Sequence, residues 1–420
     1  MPQDATTSPS RNIERAALAL GFDSVGIAAL EHPGNALEAA RFAEWLEDGR
    51  HGAMGYMARD PGRRTRPQDV LPGAKSVVCV ALSYWSPDAE APSREGIPAR
   101  VRVPSREGTP AREGTPAREG IPAPAGRIAR YARGRDYHKV FASRLRDLET
   151  EIVRLLPGCR TRRYVDTGPV LEKLWSERAG LGWRGKHTNL VSRDLGSWFL
   201  LGEVLVDTEL CPDPPETDHC GTCSRCIDVC PTRAITAPYE LDARLCISYL
   251  TIEHRGSIPV ELRPLMGDHV FGCDDCLDVC PWNRFARASR EAGFKPRPET
   301  LAPLLRELVT LDAEGFYRRF AGTPVTRTKR EGLARNACVA LGNTGDAASV
   351  PALTRALADD SPLVREHAAW ALGRIGGAEA REILRKSLRT EDDAAVLAGL
   401  REALAEAGEI PVHQRETNTP

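Results

Sequence analysis

The sequence predicts an α+β protein whose three parts follow one another along the chain. Apolar runs that alternate with helical patterns fill the first 210 residues and indicate a mixed α/β domain. Eight of the 12 cysteines lie between residues 220 and 280 and indicate a metal-binding module. A helical repeat then indicates a solenoid. We place these parts at 1–210, 211–290 and 291–410 of the 420 residues, with a tail at 411–420.

The bulk composition argues against a membrane or exported protein. No apolar run approaches the length of a membrane-spanning helix, and residues 1–10 lack the charged and apolar segments of a signal peptide. The formal net charge is −1, so no basic field covers the whole chain. The cysteines are concentrated in one module, which is typical of a reducing compartment. We therefore expect a cytoplasmic monomer without a membrane anchor.

The first 125 residues begin with alternating elements and end in a low-complexity segment. The predicted elements are helix 11–20, which Gly21 ends, strand 24–30, helix 36–46 and strand 76–85. The basic, turn-rich residues 50–75 fit either a solvated loop or a lip that contacts an anionic ligand. Residues 93–125 repeat Arg-Glu-Gly between prolines and cannot bury a core. We expect a disordered surface insertion there, without a role in the chemistry.

The rest of the first domain contains a candidate acid. The predicted elements are helix 139–156, strand 162–166, helix 170–179 and strand 195–206. Asp166 ends a strand before a Gly-Pro turn, which is a common position for a catalytic residue. The alternative is that Asp166 caps the helix that follows. Residues 180–189 form a glycine-rich loop that lets the backbone approach a ligand closely.

The cysteine spacing predicts two 4Fe-4S clusters. Two runs share short gaps and end in Cys-Pro, as in bacterial ferredoxins, where the last cysteine of each run ligates the other cluster. We assign to the first cluster Cys220, Cys223, Cys226 and Cys280. We assign to the second cluster Cys230, Cys246, Cys273 and Cys276. Cys246 lies between the runs, whereas its rival Cys211 precedes the whole module.

Zinc and disulfide bonds are the alternatives for these cysteines. Zinc sites usually present separate Cys-x-x-Cys pairs, which fit the first run poorly because it has three cysteines at two-residue gaps before Cys-Pro. Disulfides suit small secreted domains rather than this chain. Two neighbouring clusters would conduct electrons, so we expect the rest of the chain to supply a site that receives them.

The C-terminal part contains an internal repeat. Residues 336–345 align with residues 367–376, and a weaker third copy surrounds residues 400–408. Helix pairs at this period stack as HEAT-like solenoids, which offer surfaces to large partners. The basic residues at its start would suit phosphate contacts or form a solvated face: Arg327, Lys329, Arg330 and Arg335.

Three motifs give the sequence a specific resemblance. They are Cys246-Ile-Ser-Tyr-Leu-Thr-Ile-Glu, Gly272-Cys-Asp-Asp-Cys-x-x-Val-Cys-Pro-Trp and Phe320-x-Gly-Thr-Pro. With them, nearly all of the chain resembles the epoxyqueuosine reductases, which depend on cobalamin and iron–sulfur clusters. The N-terminal tail, the insertion at 93–125 and the extreme C terminus are outside the resemblance.

The resemblance implies a reaction on tRNA. Epoxyqueuosine at the wobble position is reduced to queuosine, which is the last step of queuosine biosynthesis. Two electrons and two protons are consumed and water leaves. The clusters would pass single electrons to cobalamin, whose cobalt in its lowest oxidation state is a strong nucleophile. Asp166 matches the family's proton donor, a role for which a desolvated pocket must raise its pKa.

The resemblance also implies cofactor contacts. Cobalamin would lie between the α/β domain and the cluster module, without a histidine beneath cobalt. Asp136 and His138 match only part of a cobalt-binding Asp-x-His-x-x-Gly motif, because residue 141 is Phe. Besides Asp166, the candidate cobalamin contacts are Arg59, Tyr131, Lys186, His187, Asn189 and Ser248.

The expected partners are a nucleic acid and an electron donor. The repeats and the basic loops would hold the anticodon stem-loop of tRNA, and flavodoxin, or ferredoxin with its reductase, would supply electrons. A reductive dehalogenase-like enzyme acting on a small molecule is one alternative, but it would need neither the solenoid nor a cytoplasmic location. A non-catalytic iron–sulfur carrier is the other, and it leaves Asp166 without a purpose.

Overall fold

The computed structural model describes residues 8–87 and 123–407. The predicted insertion at 93–125 lies almost entirely outside these ranges, and so does the predicted tail at 411–420. Helices and strands both contribute to the fold, which confirms the α+β prediction. Within the described residues, no helix has the length and apolarity that crossing a membrane requires.

An antiparallel sheet forms the centre of the first domain. The strands of this domain are β1 (Ser24–Ala29), β2 (Ser76–Ser83), β3 (Arg127–Ile128), β4 (Thr161–Tyr164), β5 (Trp183–Arg184), β6 (Leu190–Val191) and β7 (Phe199–Val206). Four of them form one sheet in the order β1-β2-β7-β4, and every neighbouring pair is antiparallel. β2 is buried along its whole length because helices cover both faces of the sheet. β4 ends two residues before Asp166, which therefore lies in the loop between this strand and the next helix.

Helices pack on both faces of this sheet. The helices of this domain are α1 (Pro9–Ala19), α2 (Asn35–Glu47), α3 (Gly55–Ala58), α4 (Pro61–Thr65), α5 (Tyr137–Leu155) and α6 (Glu172–Arg178). Among them, α1, α5 and α6 cover the sheet. Ile13 of α1 and Phe141 of α5 join the core on one face, and Trp175 of α6 joins the core on the other. The N-cap of α6 is Leu171, so Asp166 does not cap this helix. The structure therefore excludes the helix cap, which was the alternative role for Asp166.

The cysteine module has only short helices and strands, and one of its strands pairs with a strand of the first domain. Its elements are helices α7 (Arg225–Val229), α8 (Ile247–Ile252) and α9 (Asp275–Asp278), and strands β8 (Ile235–Ala237), β9 (Glu240–Leu241) and β10 (His269–Phe271). β10 pairs in parallel with β3 of the first domain. This pairing fixes the second run of cysteines, which begins just after β10, against the first domain.

The C-terminal part is entirely helical. Its helices are α10 (Pro298–Leu301), α11 (Leu305–Leu308), α12 (Ala313–Phe320), α13 (Lys329–Thr344), α14 (Val350–Ala356), α15 (Pro362–Ile375), α16 (Gly377–Leu388) and α17 (Ala394–Glu406). Gly342 and Gly373 occupy equivalent positions in two repeats. A Cβ atom would lie 2.7 Å from Trp370 at the first and 2.8 Å from Ala403 at the second, so the helices can pack this closely only with glycine.

One hydrophobic core continues from the cysteine module into the repeats. It includes Ile247 and Leu250 of α8, Leu305 of α11, and Leu341 of α13. No break in this core occurs near residue 290, where the sequence suggests a domain boundary. The repeats therefore support the polypeptide that surrounds the cysteines.

Arg335 is part of this core rather than of a phosphate-binding surface. Its side chain is fully buried. It donates hydrogen bonds to the backbone carbonyls of Leu250, His254 and Gly256, at distances of 2.6 to 2.8 Å. Burial lowers its pKa to about 9. The suggested phosphate contact by Arg335 is therefore wrong, because the guanidinium faces carbonyls of the module and not solvent.

Replacing Arg335 with methionine should lower the free energy of unfolding by about 3 kcal/mol or more. The methionine leaves three carbonyl oxygens without these donors, one of them buried and two partly buried, and each unsatisfied group costs free energy. Denaturant unfolding, followed by circular dichroism, measures the change. Arg389→Met is the control, since Arg389 is exposed; equal stability of the two variants would contradict the structural role.

Candidate functional site

The structure brings the four cysteines assigned to the first cluster to one cavity. Cys220, Cys223, Cys226 and Cys280 line it, together with Lys186, His187, His219, Arg225, Pro281 and Trp282. Burial, followed by the charges of the other three cysteines, raises the pKa of Cys226 to about 11. Thiols that interact in this way are neighbours. The site therefore presents four sulfur ligands around one space, which fits a 4Fe-4S cluster.

The second set of cysteines also comes together. Burial raises the pKa of Cys276, and the thiols of Cys246 and Cys230 raise it further. The pKa of Cys273 is raised by burial and, among other groups, by Cys276 and Cys246. Cys246 and Cys273 pack against the core of the repeats, and Cys276 packs against the core of the first domain. The second set thus lies between two cores, deeper than the first.

Cys211 occupies a different position. It is exposed, and its backbone N–H donates to Ser10 Oγ in α1 at 2.9 Å. Ser10 belongs to the first helix of the α/β domain, whereas Cys246 lies among the cysteines of the module. This placement supports Cys246 as the eighth ligand.

A group of possible metal ligands beside the second set is already neutralised. His269, Cys273 and Asp275 offer ligand atoms within 4.8 Å of one another. The guanidinium of Arg127 lies 3.1 Å from Asp275 Oδ1 and 3.0 Å from His269 Nδ1. Because a cation already lies among these groups, we assign Cys273 to the second cluster and no further metal to the group.

Asp166 lies in a loop and is held by three groups. The hydroxyl of Tyr137 donates to Asp166 Oδ2 at 2.8 Å, and His138 Nε2 lies 3.4 Å from the same oxygen. His138 Nδ1 lies 2.8 Å from Asp136 Oδ1, so the imidazole is placed between two carboxylates. The backbone N–H of Asp166 donates to the carboxylate of Glu172. Its φ of 52° is in the left-handed region, where aspartate is more acceptable than most residues.

The pKa of Asp166 is not raised, contrary to the expectation for a proton donor. Burial alone would raise it, but the groups that stabilise the carboxylate, first His138 and then Tyr137, leave the pKa below its usual value. Burial would likewise lower the pKa of His138, but Asp136 and Asp166 outweigh it and raise the pKa to about 9. The proton near neutral pH therefore resides on His138 rather than on Asp166.

Two further ionisable groups line the same region. Burial and then the charge of Asp166 raise the pKa of Glu172 to about 8. Burial lowers the pKa of Lys173, whose Nζ donates to Asn189 Oδ1 at 2.7 Å. Asn189, one of the predicted cobalamin contacts, is thereby connected to the Asp166 loop.

A basic aromatic rim borders this region. The guanidinium groups of Arg64 and Arg327 both lie near Tyr56, each 5.9 Å from the centre of its ring. Arg64 also donates to the carbonyl of Gly168, two residues after Asp166. We call Tyr56, Arg64 and Arg327 the basic rim.

Comparison with known families gives the same organisation. The family described as "Epoxyqueuosine reductase QueG, DUF1730" matches residues 64–167. A 4Fe-4S double cluster binding domain matches residues 219–283, and HEAT repeats match residues 326–405. The epoxyqueuosine reductase of Xanthomonas campestris pv. campestris is 41% identical over 372 residues, which cover 88% of this chain and 97% of that protein. The chain belongs to the epoxyqueuosine reductase family.

Other members of the family are similar to this chain over most of its length. The epoxyqueuosine reductase of Pseudomonas aeruginosa is 43% identical over 359 residues and covers 85% of this chain and 92% of its own. A crystal structure of an epoxyqueuosine reductase covers 94% of this chain and 98% of its own with a TM-score of 0.82 and 29% identity. Another, with an epoxyqueuosine-modified tRNA-Tyr stem loop, has a TM-score of 0.80 and 29% identity. These findings confirm the predicted family, and the chain is an oxidoreductase with iron–sulfur clusters.

The region around Asp166 fits a large cofactor such as the cobalamin that the family resemblance implies. Desolvation is the largest influence on the pKa of Asp166, yet 55% of its side chain is exposed. The carboxylate therefore borders protein on one side and solvent on the other, and we call the space beside it the cleft. Tyr137, Lys173 and Asn189 supply polar groups there that an amide-rich cofactor can bind.

The predicted cobalamin contacts divide into two groups in the structure. Tyr131 packs on Tyr137, with ring centroids 5.9 Å apart, and therefore joins Asp166 and Asn189 at the cleft. The others lie elsewhere: Lys186 and His187 line the first cysteine cavity, Ser248 Oγ accepts from the backbone N–H of Cys273, and Arg59 is exposed after α3.

Several residues of the site escaped the sequence reasoning. Tyr137, Glu172 and Lys173 carry no spacing signal that connects them with Asp166. His138 was considered only as a cobalt ligand.

Proposed function

We propose that this chain reduces epoxyqueuosine to queuosine at the wobble position of tRNA, the last step of queuosine biosynthesis. The observation that carries the proposal is the carboxylate of Asp166, which Tyr137 and His138 hold in an open cleft close to the cysteine module. In the reaction the epoxide gives up its oxygen as water and an alkene forms. Two electrons and two protons are consumed, so the site must receive both.

The cysteines assigned above would hold the clusters, and Tyr131, Asp166, Lys173 and Asn189 would hold cobalamin. When bound, these cofactors supply single electrons and a strongly reducing cobalt centre. The chain's own part is to deliver a proton. His138 holds it at Nε2 and passes it to Asp166 Oδ2, 3.4 Å away, and Asp166 passes it to the departing oxygen. Tyr137 keeps the carboxylate oriented through its hydrogen bond.

This route predicts a loss of turnover as the pH rises through about 9. The pKa of His138 is raised to about 9, so the imidazolium is present below that pH and absent above it. His138→Gln should lower turnover about 10-fold or more and remove the alkaline limb of the profile. Single-turnover rates between neutral and alkaline pH measure both effects. His32→Gln, in a loop near α2, is the control, and an unchanged profile in His138→Gln would refute the route.

We also propose that an external one-electron donor, flavodoxin or ferredoxin with its reductase, supplies the clusters, and that the enzyme acts as a cytoplasmic monomer. The basic rim and the HEAT-like repeats would hold the anticodon stem-loop. Arg64 of the rim donates only to backbone carbonyls and can also contact a phosphate, whereas Arg327 is paired with Glu253. The half-exposed ring of Tyr56 offers a base a surface for stacking beside the proposed catalytic acid.

Complementation in cells tests the proposed function. A strain that accumulates epoxyqueuosine receives this chain, and its tRNA nucleosides are digested and weighed. The proposal predicts conversion of epoxyqueuosine to queuosine. Persistence of epoxyqueuosine, while the expressed chain contains iron and cobalt, would contradict it and favour reductive chemistry on a small molecule, such as dehalogenation.

A further inference from the structure

The two sets of cysteines differ in their access to solvent. The backbone over the first cavity is exposed at Gly221, Thr222, Ser224 and Arg225, and also at Pro281. The second set instead lies between the core of the repeats and the core of the first domain. Electrons that come from another protein can therefore reach the first cavity over a shorter distance.

The surface around the first cavity carries two arginines without acidic partners. Arg225 lines the cavity, and Arg284 lies four residues after Cys280. Both are exposed, and neither forms an ion pair with any residue in 8–87 or 123–407. Arg284 instead packs over the ring of Phe285, 4.6 Å from its centre. Phe285 is 43% exposed and packs against Trp282, which lines the cavity.

The carboxylates nearby are already engaged. Glu216 lies 3.2 Å from Arg193 and 3.1 Å from His219. Asp218 accepts a hydrogen bond from the hydroxyl of Tyr239, and Asp228 accepts one from Ser224 Oγ. Asp218 and Asp228 keep their negative charges, because their partners are neutral hydroxyls. They are outnumbered around the cavity by Arg225, Arg284 and Lys186, whose Nζ donates only to backbone carbonyls. The surface is therefore positive, although the whole chain has a formal net charge of −1.

We propose that this surface is the docking site of an acidic one-electron carrier protein. We call it the cluster face and define it by Gly221, Thr222, Arg225, Arg284 and Phe285. Unpaired arginines around an exposed aromatic ring are complementary to a carrier whose cofactor is ringed by carboxylates, and such charges accelerate association. Docking here places the carrier over the first cavity. The inference rests on the proposed function, because it assumes that the clusters supply electrons to the reaction.

The substrate tRNA is also an anion, but the structure favours the carrier for this surface. The basic rim of Tyr56, Arg64 and Arg327 lies beside Asp166, where the modified nucleoside must bind. The cluster face belongs to the loops that carry Cys220–Cys226 and Cys280. A single anionic partner need not cover both surfaces, so the two can be tested separately.

The test compares two charge reversals in the cofactor-loaded enzyme. Arg284→Glu alters the cluster face, and Arg389→Glu makes the same change of charge on an exposed arginine of the repeats. Stopped-flow absorbance follows cluster reduction by photoreduced flavodoxin at low salt. We expect the clusters of the first variant to be reduced at about one tenth of the wild-type rate or more slowly. The clusters of the second variant should be reduced at the wild-type rate. Added salt should slow the wild type toward the first variant.

Turnover with dithionite separates this inference from the proposed function. The cluster-face variant should convert epoxyqueuosine in tRNA at the wild-type rate with this small reductant. Reduction by flavodoxin at the wild-type rate would overturn the docking site, and a raised KM for tRNA would assign the face to tRNA instead. Absence of turnover in every protein would overturn the proposed function, while the reduction rates would still decide the docking site. Iron analysis of Arg284→Glu checks that both clusters are retained, since Arg284 neither adjoins a cysteine nor lines the cavity.

Discussion

Asp166→Asn should reduce the rate of epoxyqueuosine reduction by about 100- to 10,000-fold, the range that a general acid contributes. Asparagine has nearly the same shape and tolerates the left-handed φ of 52°, so the loop should keep its conformation. It can still accept the hydrogen bond from Tyr137, but it cannot carry a proton to the departing oxygen. Single-turnover kinetics, with saturating enzyme in excess over tRNA, isolates this step from binding.

The variant should retain both clusters, cobalamin and its affinity for tRNA. Asp194→Asn is a matched control, because Asp194 is an exposed aspartate that pairs with Arg287 at 2.8 Å. A rate for Asp166→Asn within a few-fold of the control would show that another group delivers the proton. His138 would then be the first residue to consider, since its Nε2 lies 3.4 Å from the Asp166 carboxylate and its pKa is raised to about 9.

Cys246→Ala should abolish turnover and remove one of the two clusters. Cys246 is partly buried near Cys230, Cys273 and Cys276, and a cluster deprived of a thiolate ligand is not retained with its normal properties. Iron and sulfide content should fall to about half of the wild-type value. Analysis of anaerobically reconstituted protein, with electron paramagnetic resonance of the reduced clusters, measures the loss.

Cys211→Ala is the matched control for this prediction. Cys211 is the alternative eighth ligand, but it is exposed and its backbone bonds to Ser10 of α1. We expect it to keep full iron content and full turnover. The reverse outcome, with iron lost in Cys211→Ala and retained in Cys246→Ala, would contradict the proposed ligand set.

The ligand cysteines could be predicted because their signal is local. Iron–sulfur ligation fixes the spacing of three cysteines and the Cys-Pro that follows, so the pattern is visible in a single segment. The repeat was visible for a similar reason, since Gly342 and Gly373 are both required where neighbouring helices pack closely. Features that one segment determines by itself can be predicted from the sequence.

The surroundings of Asp166 could not be predicted because they join distant segments. Tyr137 is 29 residues away from Asp166, and no spacing rule connects the start of a helix with a loop after a strand. Without these partners, burial alone suggested a raised pKa, whereas the hydrogen bonds to the carboxylate lower it. The suggested phosphate contact of Arg335 was wrong for the same reason, since only the packed core shows that its guanidinium faces three carbonyls.

The most direct test of the account is anaerobic turnover by the purified chain. The protein is loaded with iron, sulfide and cobalamin, reduced with dithionite, and given tRNA from cells that accumulate epoxyqueuosine. The account predicts that the modified nucleoside loses the mass of one oxygen atom, that the conversion requires cobalamin, and that Asp166→Asn nearly abolishes it. Unchanged epoxyqueuosine, in a protein that holds both clusters and cobalamin, would contradict the account.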